Sequence, residues 1–204
     1  LPAQYSHLYL CIAGELAAVI CIFDPLRAEA KDAIRALHAC GISKVVMMTG
    51  DNRRTAASVA EEVGVDEFYA EVLPEDKAAF IRREKAAGRT VIMIGDGVND
   101  SPALSEADAG VAISTGAAIA REIADITIAS EDLFELVTLR RISEALMGRI
   151  HRNYRFIVGF NLGLIVFGVA GLLPPTTSAL LHNASTLAIS LKSMTNLLPD
   201  KKKI

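Results

Sequence analysis

The chain predicts a parallel α/β domain with helices on both sheet faces, followed by a hairpin of one apolar helix and a second, more polar one. Three observations carry this. Apolar runs near 44–48, 67–70, 90–94, 109–113 and 125–128 alternate with amphipathic patterns near 26–39, 53–63, 75–87, 101–107 and 117–123, the alternation of a parallel sheet with crossover helices. Gly41, Gly64 and Gly88 fall where three of those helices should close, as left-handed cap positions require. Past residue 155 the character changes: the 18 residues 156–173 are apolar apart from Asn161 and several glycines, enough for a bilayer-spanning helix.

Taken in order, residues 8–22 read as two short strands around Gly14 and Glu15, and Asp24-Pro25-Leu26-Arg27 opens the helix that Gly41 closes. An apolar run at 45–48 leads into Thr49-Gly50-Asp51-Asn52, with a helix from near Arg53. Pro74-Glu75-Asp76-Lys77 starts the next helix. Lys77 in its first turn opposes the helix dipole, so it needs either a solvated position or an anionic partner. The run 91–94 then ends in GDGVND at 95–100, with Ser101-Pro102 reading as a cap and first-turn proline. From about 132 a continuous helical pattern enters the apolar run, Pro174 and Pro175 break it, and a more polar stretch follows from about 178 to 198.

The GDGVND segment carries most chemistry. It sets Asp96, Asn99 and Asp100 on a glycine-loosened loop at a strand end, where open α/β sheets bind ligands. Paired carboxylates there suit Mg²⁺, a hard cation that takes oxygen ligands together with phosphates. The plain alternative is a solvated strand-to-helix turn. Thr49 and Gly50 at a new helix N-terminus make an anion site of the kind phosphate favours; ordinary capping by Asp51 or Asn52 is the competing reading. A net charge of −3 gives no reason for a nucleic-acid partner. Cys11, Cys21 and Cys40 lack CxxC spacing and read as small buried apolar residues in a reducing compartment.

In this order DPLR, TGDN, PEDK and GDGVNDSPAL resemble the phosphorylation domain of P-type ATPases, pumps of the haloacid-dehalogenase superfamily. The resemblance implies an incomplete, parallel, Rossmann-like phosphorylation domain followed by a two-helix transmembrane hairpin. It further implies that Thr49 and Gly50 contact the phosphoryl group, that Lys77 neutralises its charge, and that Asp51 holds the loop. Asp96 would bind Mg²⁺ directly, with Asn99 and Asp100 completing the site. The charge of phosphoryl transfer would then be spread over lysine, backbone amides and metal. No DKTGT segment, the family's nucleophile stretch, occurs in the chain. The expectation is therefore a C-terminal part of a pump, inactive alone, with most of the ATP site elsewhere. Its divisions are 1–23, the end of the connection from a nucleotide domain; 24–131, the phosphorylation-domain portion; 132–155, a linking helix; 156–198, the membrane hairpin; and 199–204, a basic cytoplasmic tail. The nucleophile strand would form the middle of the sheet, so its absence would leave backbone groups unpaired.

Arg140, Arg141, Arg149, Arg152 and Arg155 precede the first span, and Lys201, Lys202 and Lys203 follow the second. By the positive-inside rule both ends are cytoplasmic in a cell-membrane protein; a buried core helix is the alternative for 156–173. The second stretch carries His182, Asn183, Ser185, Thr186 and Lys192. Polar groups at that depth face other helices or a pathway. The HNAST string at 182–186 resembles a last-helix motif of heavy-metal P-type ATPases, often HEGGT in branches handling divalent ions; here Asn183 stands in place of the acidic residue. Asn161, His182, Asn183, Ser185 and Thr186 are thus candidate ligands for a transported manganese-, zinc- or cobalt-class cation, with imidazole suiting the softer metals. Interhelical hydrogen bonding is the structural alternative for His182, Asn183 and Asn161. Two other function classes stay open. A membrane-tethered phosphatase of the same superfamily would need a nucleophilic Asp near the start, and a non-catalytic remnant would associate with a complete pump.

Overall fold

The structure is a computed structural model that describes residues 5–22, 25–95, 98–113, 122–129 and 132–198. Two compact units divide it, Leu1–Val137 and Thr138–Ile204. The first begins with an antiparallel hairpin of β1 (Ser6–Ile12) and β2 (Glu15–Ile22), with an irregularity between Leu10 and Cys11. Its two-residue turn puts both Ala13 and Gly14 at positive φ, the backbone twist that tight hairpins prefer. Leu8, Tyr9, Leu10, Ile12, Leu16 and Ile20 are all exposed. The expectation of buried cysteines fails here: Cys11 and Cys21 are exposed and Cys40 half-buried, all three free thiols, because neither face of β2 is covered.

The parallel elements follow as α1 (Ala30–Ala39), β3 (Val46–Met48), α2 (Arg53–Val63), β4 (Glu67–Tyr69), α3 (Pro74–Ala86), β5 (Ile92–Gly95), α4 (Ser101–Glu106), β6 (Ala109–Ile113) and β7 (Ile126–Ile128). β3 pairs with β4, and β5–β6–β7 form a second sheet, all parallel. Among the described residues β3 and β5 each have one strand neighbour. Met48 nevertheless packs on the same core as β5 and β6, built from Ile81, Met93, Ala103, Leu104 and Ala112.

Local chemistry accounts for most helix ends. Asn52 caps α2 by accepting the Thr55 N–H at 3.0 Å, and Gly64 closes it at φ +78. Asp76 reaches back to the Leu73 N–H at 3.2 Å, with Pro74 in the first position of α3. Helix α1 starts later than DPLR suggests: Arg27 C=O accepts the Ala30 N–H at 3.0 Å, so residues after Pro25 form an entry turn first. Asp24 lies outside the described residues, as do Asp96, Gly97, most of the helix expected at 117–123 and the tail 199–204.

In the second unit, α5 (Phe134–Val169) continues from the first and is followed by α6 (Pro175–Ser193). Hydrogen bonds from Arg149 to Ser193 and from His182 to Asn161 tie them as an antiparallel pair. Gly171 at φ +74 and Pro175 at the first helical position make the turn between them. α5 stops at Val169, short of the end of the apolar run, and α6 carries its polar stretch. Accordingly, no helix among the described residues is long and apolar enough to cross a membrane. The second helix ends at Ser193, before the expected limit near 198.

Candidate functional site

Lys77 and Asp100 meet. Lys77 Nζ donates to Asp100 Oδ1 at 2.7 Å, joining the first turn of α3 to the loop after β5, and the two side chains are 15% and 12% exposed. The lysine that opposes its helix dipole thus has an anionic partner. A 3₁₀ turn at Val98–Asp100 leads straight into α4. Asp100 therefore occupies the cap position, and Ser101 is the first helical residue instead of the cap. Gly95 is the floor of the loop: a Cβ there would meet Asp100 Cβ at 2.6 Å and Oδ2 at 2.9 Å. Only glycine lets the strand end pass that close to the carboxylate.

Two further contacts keep α3 against α4. Lys85 Nζ donates to Glu106 C=O at 2.7 Å and lies 3.5 Å from Asp108 Oδ1, and Arg82 pairs with Glu106 at 3.2 Å. Asp108 in turn accepts the Val91 N–H at 2.8 Å. That backbone hydrogen bond, with Lys85 beside it, holds the Asp108 carboxyl below the ordinary value of 3.8. At the far end of α3, Arg89 donates to Glu84 at 2.6 Å and holds that carboxyl below its ordinary 4.5.

The TGDN segment closes on itself. Thr49 Oγ1 donates to Asp51 Oδ2 at 2.8 Å and accepts the Asp51 N–H at 3.1 Å. The turn is anchored to the loop after β4: Thr49 N–H donates to Tyr69 C=O, Val72 N–H to Thr49 C=O and Glu71 N–H to Asp51 C=O, the last at 2.9 Å. Glu71 holds φ +57 to do so, a conformation in which a non-glycine residue is strained. Nothing in the sequence signals Glu71. Gly50 is exposed, with open space where a Cβ would stand. Asn99 is exposed beside Asp100.

Among the described residues no group of three or more His, Cys, Asp or Glu side chains comes together as a metal site. Mg²⁺ needs fewer, since it keeps waters and takes one or two carboxylates plus phosphate oxygens. The well-buried Asp100 carboxylate, packed over Gly95, is a hard oxygen donor that fits it; Asp96, the other expected ligand, lies outside the described residues.

In the second unit, His182 Nδ1 lies 2.9 Å from Asn161 Oδ1. Ser185 Oγ and Thr186 Oγ1 both donate to His182 C=O, at 2.8 and 3.0 Å. Asn183 is exposed. At the opposite end of the pair Arg149 donates to the carbonyls of Ser193, Thr195 and Asn196 at 2.9, 2.6 and 2.9 Å. The sequence showed Arg149 only as one of a basic cluster.

The chain is similar to several known proteins. Copper-transporting ATPase 2 of Rhizobium meliloti (strain 1021) is 46% identical over 176 residues, 86% of this chain and 21% of that protein. The manganese-exporting P-type ATPase of Mycobacterium bovis (strain ATCC BAA-935 / AF2122/97) is 40% identical over 185 residues, 90% of this chain and 26% of that protein. The crystal structure of a zinc-transporting PIB-type ATPase in its E2.Pi state superposes with a TM-score of 0.83 at 31% identity, covering 94% of this chain and 31% of that one. The chain therefore spans about a fifth to a quarter of the curated relatives. Copper, named for the first of them, is an ion the expected manganese, zinc or cobalt class did not include. A family model described as haloacid dehalogenase-like hydrolase matches residues 3–108, more than half of the sequence, and the chain belongs to that family.

Proposed function

We propose that this chain supplies the magnesium and phosphoryl site of the phosphorylation domain, and the last two membrane helices, of an ATP-driven heavy-metal cation pump. The Lys77–Asp100 contact carries the reading, because it joins two motifs far apart in sequence into one charged, largely buried site. In it Asp96 and Asp100 hold Mg²⁺, Asn99 supports them, and Thr49 and Gly50 receive the phosphoryl oxygens. When bound, Mg²⁺ supplies positive charge beside the transferred group. Lys77 spreads that charge further and orients Asp100. Thr49 must first release its own turn: its hydroxyl proton now goes to Asp51, so engaging a phosphoryl oxygen means trading that bond. Asp51 thus holds the loop ready and takes the proton donor back afterwards.

The membrane part of the proposal rests on the apolar run, which continues past the end of α5 to Leu173, and on its outward surface. Ile157, Leu162, Ile165, Val166, Phe167 and Leu172 are all exposed, and contiguous apolar surface of this kind calls for lipid or other helices. On this reading His182, Asn183, Ser185, Thr186 and Asn161 lie along the path of a transition-metal cation, the substrate, with both chain ends cytoplasmic.

The test uses the intact pump. Lys77→Ala and Asp96→Asn should each abolish phosphorylation by γ-labelled ATP and metal-stimulated hydrolysis. Near-normal hydrolysis by both variants at saturating Mg²⁺ would overturn the assignment of the site.

A further inference from the structure

The geometry points to Asn161 as a positioning residue for His182, which sets the imidazole so that Nε2, and not Nδ1, is the nitrogen offered to the transported cation. This rests on the proposed pump function and assigns a division of labour within its candidate ion path. Asn161 Oδ1 stands 2.9 Å from His182 Nδ1. An amide oxygen only accepts, so the proton of the neutral imidazole sits on Nδ1 and the Nε2 lone pair is left free. Metal-bound histidines characteristically give their second ring N–H to an oxygen in this way, which holds the ring and raises its basicity.

The neighbouring residues fit the same arrangement. Ser185 and Thr186 spend their hydroxyl protons on the His182 carbonyl; their oxygens keep lone pairs only, and the turn of α6 that carries the ring is braced from two sides. Asn161, Ser178 and His182 are the polar members of a cleft of about 610 Å³ whose other walls include Leu164, Ile165 and Val169. Asn161 reaches the cation only through His182, so it contributes no donor atom.

The intact pump in lipid, with Zn²⁺ as the probe, tests this by affinity, by X-ray absorption of the bound metal and by ¹⁵N NMR of the imidazoles, His182 being assigned from His182→Gln. Asn161→Leu should weaken Zn²⁺ binding about 10- to 100-fold, the usual effect of losing such a partner, while the number of metal-bound donors stays the same. Asn161→Asp keeps an acceptor for Nδ1–H and should retain wild-type affinity or exceed it, which guards against a folding artefact in the Leu variant. The metal-free wild type should show the proton on Nδ1. An Nε2-protonated ring, or loss of one oxygen donor from the metal shell in Asn161→Leu, would overturn the proposal. Unchanged Zn²⁺ binding in His182→Gln would instead remove the ion-path reading beneath it.

Discussion

Lys77 Nζ and Asp100 Oδ1 stand 2.7 Å apart across 23 residues of sequence, and each side chain is mostly withdrawn from water. Removing one partner leaves a charge without compensation, the situation in which a buried pair becomes costly. Lys77→Met should therefore destabilise the phosphorylation domain by about 3 kcal/mol. Asp100→Asn in the same molecule should recover part of that loss, since the neutral amide no longer needs the ammonium. Urea denaturation of the four variants, read as a double-mutant cycle, gives the coupling directly. Additive losses would show that the two groups act separately.

Gly95 and Gly50 predict opposite responses to the same substitution. A Cβ at Gly95 would sit 2.6 Å from Asp100 Cβ, whereas Gly50 has nothing within 4 Å. Gly95→Ala should cost about 1–3 kcal/mol, as overpacking does, and should lower Mg²⁺ affinity by displacing Asp100. Gly50→Ala should leave stability within about 0.5 kcal/mol, the usual range for an exposed site away from special features. Thermal unfolding with and without Mg²⁺ separates the two. Equal losses would mean that the close approach at Gly95 does not constrain the loop.

How far the site could be read from the chain follows from these particulars. The parallel strands were legible because short apolar runs end at glycines and helix caps, and Lys77 advertised its need for an anion by opposing a helix dipole. Its partner was visible only as one of the two acids in GDGVND. That Asp51 holds its loop was expected, but the anchoring of that turn was not legible, because it depends on Tyr69, Glu71 and Val72 arriving from the next loop. Glu71 adopts positive φ with none of the residue types that signal it. Cys11 and Cys21 looked like core residues because they sit in apolar strands, and composition does not say whether a hairpin has a cover.

Acid should weaken the first unit through Glu84 and Asp108. Both carboxyls titrate below their ordinary values, Glu84 chiefly through the hydrogen bond from Arg89 and Asp108 chiefly through the Val91 N–H. A carboxylate whose folded pKa is depressed contributes fully above its unfolded value and loses that contribution as pH falls through the folded one. The window therefore opens near the ordinary 4.5 of Glu84 and 3.8 of Asp108 and extends below them. Glu84→Gln should be less stable than wild type at neutral pH, with the difference shrinking through that window. A constant difference from neutral to acid, measured by urea midpoints, would show that ionisation of Glu84 contributes nothing.

The end of α6 offers the last prediction. A helix leaves its final carbonyls without intrahelical donors, and one guanidinium, that of Arg149, takes the carbonyl of Ser193 and, just past the helix end, those of Thr195 and Asn196. Asn153 adds a contact to Ser193 Oγ at 2.9 Å. The planar fork matters more than the charge, because a lysine ammonium in the same place is a point donor on a flexible stem. Arg149→Lys should thus behave nearly as badly as Arg149→Ala, both loosening the segment around 193–196 while leaving the His182–Asn161 contact intact. Amide hydrogen exchange in the intact protein should quicken there by about tenfold, the rate change matching about 1.4 kcal/mol of lost protection. If Arg149→Lys retained wild-type protection and only Arg149→Ala lost it, charge at the helix C-terminus, and not the three-carbonyl clasp, would be what holds α6 to α5.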